Sequence, residues 1–567
     1  MSLNGGLADK ALFSKSIRGE DDLDKNSVAI NKQVNFISDS NNSSYNGQII
    51  FDTGPLLNNN KYIPASEMYL QIPFNFNIKN TGSNSTAAVC NSFSLGLKNG
   101  YYQLINSIQV DVNGYTLVSA QPYTNMYINS KIMLTWNNST QQLQGPSIGF
   151  WPDTTGSASF NAASNVNGDG YSNNVQLPTS FAGEYNYASL STYNARFYER
   201  QERTTAYDPL NGTNGITNTN TASQCNSVGQ SYFIKGSAAT AGTVLGTWYV
   251  LATIRLSDIS DLFEQMPLSK IGQMRIYINY NQVSTVITSA ATSAGMVLAS
   301  GSTLSYGLTN PIMVSSAATG SAGAPLLSST GTTLTIQSGI ATTSINGVSS
   351  SPILNTCRLY VPSYDLTPHF INEYTILQNP IKTVRYNDIF TYPILNIAST
   401  ATFNNIITNG LPNLKYIMIL PYNNGSSGVF ANITSSVITS PFDTAPGTLS
   451  SPYLSLQQLQ ITVANENMWQ TPQSYGFSHF QDEISQLGLD GGIDNEMTSG
   501  LLNQASWFQN NAIIICDISR RLPQDDNVPK SVTISGQNNT TNAVDLICIC
   551  VYSKKFDLDV RSGEIFT

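Results

Sequence analysis

Charge is what this sequence lacks. Asp, Glu, Lys and Arg make up 11% of its 567 residues, where a globular domain carries about a quarter. The basic residues number 26 against 35 acidic ones and form no tract. The phosphate neutralisation that drives nucleic-acid binding is therefore missing, and no direct sequence-specific genome binding is expected. Histidine is nearly absent. His369 and His479 lie in different halves of the chain and no G-x-S-x-G elbow accompanies them, so a Ser-His-Asp or Cys-His hydrolase is not expected. The six cysteines (Cys90, Cys225, Cys357, Cys516, Cys548, Cys550) have neither zinc spacing nor disulfide-scaffold density and read as buried thiols. No stretch approaches the roughly 18 apolar residues that span a bilayer. The first 25 residues lack an apolar core behind a basic start, so the expectation is a soluble protein without a secretory signal, kept in a reducing compartment.

What replaces the charge is Asn, Ser, Thr, Gly and 29 Tyr, the residues of turns and strand faces rather than helix interiors. Period-two alternation runs from end to end. It is seen in Leu70, Ile72, Phe74, Phe76 and Ile78, again from Met274 to Tyr280, in Leu359 and Val361, in Ile417 and Ile419, and in Leu459, Ile461 and Val463. Each is a strand with one buried face. Ile108, Val110 and Val112 run into Asn113-Gly114 and return at Tyr115 to Val118, a hairpin closed by a primed two-residue turn. Cys548 and Cys550 share one face of the apolar run Leu546 to Val551. One segment, Leu256 to Pro267, places Ile259, Leu262, Phe263 and Met266 at helical spacing; Ser257 or Asp258 caps it and Pro267 stops it. From Ile276 to Cys357 no charged residue occurs. The islands of β-formers in that stretch favour a long β-rich insertion over a flexible linker, and its missing gatekeepers call for cover by neighbours.

The two halves echo each other. NGQIIFDTGPLL (from Asn46) is matched with YNDIFTYPIL (from Tyr386, containing Asp388), and EMYLQIPFNF (from Glu67) with LKYIMILPYN (from Leu414), aligning Pro73 with Pro421. LINSIQVDV (from Leu104) is matched with SLQQLQITV (from Ser455), so that Ile108 and Val110 fall on Leu459 and Ile461. The run Asp258-Ile259-Ser260, Pro267, Lys270, MRIYIN is matched with Asp517-Ile518-Ser519, Pro523, Lys530, SVTISG. A repeated all-β unit whose first copy carries the longer loops describes two tandem eight-stranded jelly-roll sandwiches with a short helix in the first. The expected division is an N-terminal arm at 1–29, a first roll at 30–366 (including the Ser/Thr/Gly-rich 284–352), and a second roll at 367–567.

The segments DISDLFEQMP and MRIYINYN, CRLYVPSYDLTPHF into IKTVRYNDIFTYPI, and DISRRLPQDDNVPKSVTISGQNN followed by AVDLICICVYSKKFDLDVRSGEIF resemble the double jelly-roll major capsid proteins of virophages and Polinton-like viruses, from about residue 30 onward. The resemblance implies a structural protein, not an enzyme. It implies a homotrimeric pseudo-hexagonal capsomer in an icosahedral virion shell around double-stranded DNA, with neighbouring capsomers, penton and minor capsid proteins as partners. An extracellular adhesin or carbohydrate-binding β-sandwich is the alternative. Asp258, Pro267, Asp388, Asp517, Arg520, Arg521 and Lys530 are the structural landmarks. Arg520-Arg521 and Lys554-Lys555 are the tight basic pairs, read as solvated or interface charges. Asp490, Asp494 and Glu496 in a Gly-rich loop are a candidate for a structural Ca²⁺, although they miss the EF-hand spacing and read more plainly as a solvated turn. Leu7 to Ile17 suggests an amphipathic arm on the shell floor, in contact with a minor protein, the next capsomer or an internal membrane.

Overall fold

The computed structural model describes residues 28–41, 45, 47–59, 61–80, 93–97, 100–150, 225–228, 231–235, 244–270, 272–281, 284–289, 296–298, 312–316, 333–340, 356–424, 456–489, 500–509, 511–518, 527–540 and 543–566. Sixteen strands carry the architecture. The first eight are β1 (Ala29–Ser38), β2 (Gln48–Asp52), β3 (Tyr69–Asn80), β4 (Ile105–Val112), β5 (Tyr115–Val118), β6 (Val244–Arg255), β7 (Met274–Tyr280) and β8 (Arg358–Leu366). The second eight are β9 (Ile381–Ile397), β10 (Thr402–Leu411), β11 (Leu414–Asn424), β12 (Leu456–Val463), β13 (Glu466–Asn467), β14 (Ile514–Asp517), β15 (Lys530–Asn538) and β16 (Ala543–Asp559).

Their pairing is the same twice over. In the first set the antiparallel orders are β1-β8-β3-β6 and β2-β7-β4-β5. In the second they are β9-β16-β11-β14 and β10-β15-β12-β13. Adding eight to every label of one set gives the other, which is the double jelly roll that the sequence leads one to expect. Alternation explains the sandwich: Leu70, Ile72 and Phe74 of β3 and Ile108, Val110 and Val112 of β4 are buried. Each fully buried side chain of this size contributes about 1.5–3 kcal/mol.

The repeat also holds at the level of single hydrogen bonds. Asn113-Gly114 links β4 to β5 with φ of 50° and 87°, and Ala464-Asn465 links β12 to β13 with φ of 51° and 68°. The Asn113 N–H donates to the Gln273 carbonyl at 2.8 Å and the Ala464 N–H to the Ser531 carbonyl at 2.9 Å. One sequence match is corrected. NGQIIFD forms β2, a second strand, whereas YNDIFTYPIL lies within β9, a first strand. The true counterpart of β9 is β1, whose exposed, polar-rich AINKQVNF does not read as a half-buried strand.

The uncharged stretch contributes strands at Ser284–Ser289, Met296–Leu298, Ile312–Ser316 and Thr333–Ile340, the last paired with β3. The helix expected over Leu256 to Pro267 is two, α3 (Leu256–Ile259) and α4 (Asp261–Gln265). Ser260 separates them because its hydroxyl accepts the Leu262 N–H and caps the second helix, while Arg255 takes the position before the first. The sequence reading omits longer helices in the connections after β5 and β13. These are α1 (Thr124–Thr135) and α2 (Asn138–Ile148) in the first roll, and α6 (Phe477–Leu489) and α7 (Gln504–Gln509) in the second; α5 (Pro368–Asn372) lies between the rolls.

Candidate functional site at the joint between the two rolls

Buried polar side chains, Asp261, Asn387, Asp388 and Thr391 among them, tie distant parts of the chain together where the rolls meet. β9 is the edge strand of its sheet, and in an unbroken register Tyr386, Asp388 and Phe390 lie opposite Lys554, Tyr552 and Cys550 of β16. This puts all six on one face. The Asp388 side chain is 2% exposed and pairs with the Lys554 ammonium at 2.5 Å. It also accepts the Tyr552 hydroxyl at 3.2 Å. Lys554 and Tyr386 both donate to the Leu117 carbonyl of β5, at 3.1 and 2.6 Å. Residues that follow β5 seal the edge of β9: the Thr391 N–H donates to the Gln121 side chain at 3.3 Å, and its hydroxyl to the Pro122 carbonyl at 2.9 Å.

A second ion pair extends the seam. Lys131 of α1 pairs with the buried Asp261 of α4, whose other oxygen accepts the Asn387 amide at 2.8 Å. Asp258, one turn earlier and half-buried, is held at about 6 by burial. Arg255 and Lys131 oppose that rise and Glu264 adds to it. α1 is the wedge of the joint. Every residue from Thr124 to Leu134 except Lys131 is buried, its Tyr127 hydroxyl lies 3.5 Å from that of Tyr416 on β11, and its Met133 carbonyl accepts the Leu501 N–H at 2.9 Å. Gly500 has φ +56° and approaches so closely that a Cβ there would lie 2.3 Å from the Met133 oxygen, so only glycine fits.

The landmarks fall unevenly on this site. Asp388 is at its centre and Asp258 at its rim. Pro267 is buried just after α4, Asp517 ends β14 with its N–H donated to Glu483 of α6 at 2.8 Å, and Lys530 opens β15. Arg520, Arg521, Asp490, Asp494 and Glu496 lie outside the described residues, as does the arm Leu7 to Ile17. Lys554 is bound within its own chain, to Asp388. Sequence reasoning misses Lys131 and Glu483, since single charges in a polar-rich chain carry no spacing signal, and reads Asp261 only as a charge suited to a helix start, where it does stand. The signal for α6 was present in Phe480, Ile484 and Leu487, all buried and at helical spacing.

Among the described residues of the seam, Asp388 and Asp261 are engaged by cations, a hydroxyl and an amide, and burial pushes the Cys550 thiol up to about 12 and Cys548 well above its ordinary value, where a thiolate nucleophile does not form at neutral pH. His369 is exposed on α5, and His479 of α6 accepts the Gly476 N–H at 3.3 Å. A cleft of about 610 Å³ is lined by Lys61, Asn113, Tyr115, Lys270, Gln273 and Phe566 among others. Among the described residues no group of three or more His, Cys, Asp or Glu is placed to hold a metal ion, and no helix is long and apolar enough to cross a membrane. The arrangement joins the two sandwiches through hydrogen bonds from β9 and β16 to Leu117 and Asp261.

No family model and no curated protein matches the sequence. Among solved structures, a chain of the cryo-EM structure of the Sputnik virophage aligns with a TM-score of 0.52 at 12% identity, covering 97% of this chain and 90% of that one. The mavirus major capsid protein aligns at 0.44 and 11%, covering 94% and 89%. The Faustovirus major capsid protein aligns at 0.39 and 10%, covering 93% and 90%. The Sputnik alignment carries the fold. Over nearly its whole length, this chain has the double jelly-roll fold that its sequence resembles.

Proposed function

We propose that the protein is a viral major capsid protein that trimerises into pseudo-hexagonal capsomers, which tile an icosahedral virion shell enclosing a double-stranded DNA genome. The observation that carries this reading is the joint. Two sandwiches of identical strand order are tied together by hydrogen bonds from Lys554, Tyr386 and Asn387 of the second roll to Leu117 and Asp261 of the first and by the largely buried α1, which supplies two near-equivalent units per chain. Three such chains present six units, the number a hexagonal tile needs. Low charge with abundant Tyr and Asn suits extended contacts between copies, whose cores are depleted in Lys and Glu. The division at 366/367, penton and minor capsid partners, and the floor-lying arm belong to the same proposal.

Light scattering on the purified protein, with negative-stain imaging of the same peak, tests it. A particle of three times 61.4 kDa with a hexagonal outline is expected; a stable monomer at all concentrations overturns the reading. Deleting residues 1–25 is expected to leave the trimer intact and impair shell formation, and normal shells from the truncated chain refute the role of the arm.

A further inference from the structure

Three side chains of the joint bring an amine, a carboxylate and a carboxamide together. Lys131 of α1 donates to Asp261 Oδ1, and Asp261 Oδ2, on the other side of the same carboxylate, accepts the Asn387 carboxamide N–H of β9 at 2.8 Å. Asp261 and Asn387 are 7% and 8% exposed, and the Lys131 side chain 19%. The three groups come from elements far apart in sequence and are gathered largely out of water. The neighbouring ion pair has a different surround. Asp388 Oδ2 takes Lys554 and Tyr552, and its Oδ1 takes the backbone N–H of Ile389 at 2.9 Å, so among the described residues no carboxamide stands across that carboxylate.

We propose that Lys131 and Asn387 join covalently, Lys131 Nζ forming an amide bond to Asn387 Cγ with Asp261 as the proton carrier, so that a side-chain isopeptide ties the first roll to the second. The ammonium first passes a proton to the Asp261 carboxylate, an exchange favoured where burial penalises the charged pair. Burial also pushes the Asp258 carboxyl, which faces the same Lys131, up to about 6, so these surroundings already favour a neutral acid. The free amine then attacks Asn387 Cγ. Asp261 protonates the carboxamide nitrogen as its C–N bond breaks, recovers a proton from the attacking nitrogen, and passes it to the departing ammonia. Lysine ammonium and carboxamide thus become isopeptide and ammonium ion, with no oxidant, metal or second substrate consumed. Holding both reactants on one carboxylate makes the aminolysis intramolecular, which supplies the rate that a free amine and amide lack in solution.

Intact mass spectrometry of the full-length chain, purified folded and then denatured, tests the bond. The chain is expected to be lighter than its sequence by one ammonia, about 17 Da. Its tryptic digest is expected to contain a branched peptide in which Lys131 is uncleaved and joined to the peptide that holds Asn387. Lys131→Arg keeps a cation beside Asp261, Asn387→Ala removes the acceptor and Asp261→Ala removes the carrier; each is expected to restore the sequence mass, cooperative melting showing which variants fold. A wild-type chain at its full mass, cleaved normally after Lys131, overturns the proposal, and that reading depends on no variant. Loss of water with a Lys131–Asp261 branch overturns Asn387 as the acceptor, and a link that persists in folded Asp261→Ala overturns the role of Asp261.

Discussion

The two rolls share a strand order and differ in what surrounds it. In the second, the outer face of the β9-β16-β11-β14 sheet is sealed by the first roll, and its polar groups are matched one by one: Asp388 by Lys554 and Tyr552, Tyr386 by a carbonyl, Asn387 by Asp261. In the first, the corresponding face carries Lys32 paired with Glu67 at 2.9 Å, 49% and 37% exposed, next to uncovered Val34 and Phe36. The same scaffold can therefore present either a buried joint or an open face. The difference lies in the cover: Leu117, Gln121 and Pro122 of the first roll bond to β9 and β16 of the second.

The sharpest way to break this comparison is to remove the acid from each face. Asp388→Ala leaves Lys554 without its carboxylate in a covered seam, and a loss of about 2–4 kcal/mol is expected, the partial exposure of Lys554 keeping it below the full cost of an orphaned buried charge. Denaturant unfolding of Asp388→Ala beside Glu67→Ala checks this, since the latter is expected to cost under about 1 kcal/mol. Equal losses would mean that the two faces are alike. Restoring packing with Asp388→Leu, Lys554→Met should recover part of the loss.

A smaller effect is expected at the rim of the joint. The Asp258 carboxyl is held at about 6, above its ordinary 3.8, so the folded state binds this proton more tightly than the unfolded chain. Stability is thus undiminished below pH 3.8 and falls as pH rises from there to about 6. Asp258→Asn is expected to be more stable than wild type at pH 7 by about 1–2 kcal/mol, a discount from the full shift for its half-exposure, with the gap closing toward pH 4. Melting curves across that window decide it, and a gap constant with pH refutes the assignment.

The smallest effect sharpens the likeness rather than the difference. The first roll places Asn-Gly in its left-handed turn, the second Ala-Asn, so Ala464 holds φ 51° where asparagine is better tolerated. Ala464→Asn is expected to gain about 0.5–1 kcal/mol in thermal unfolding, and a loss would mean that the turn is held by something other than its own backbone preference.

Much of the fold was legible because each core strand announces itself by alternation, as in Leu70 to Phe74 and Leu459 to Val463, and because Asn113-Gly114 is a turn by chemistry. What stayed hidden had a physical cause. α1 is buried on all sides, so TNMYINSKIMLT carries no amphipathic period to detect. β1 reads as polar because it is an edge strand most of whose side chains are exposed. β9 reads like β2 because its apolar run serves a sheet closed on both faces. At the joint Asp388 was noticed as part of a repeated phrase, but its partner Lys554 lies 166 residues away, and no local pattern links them.

The burial of α1 has a consequence in time. The helix belongs to the first roll by sequence, yet part of its cover, Tyr416 and residues 500–501, is made later, and the last strand that completes the joint ends at Asp559. At a synthesis rate of about 5–20 residues per second, roughly 400 further residues take about 20–80 s. During that interval a newborn first roll carries an apolar helix short of part of its cover, so synthesis of the last strand, not the completion of the first sandwich, sets the moment at which that helix is closed off.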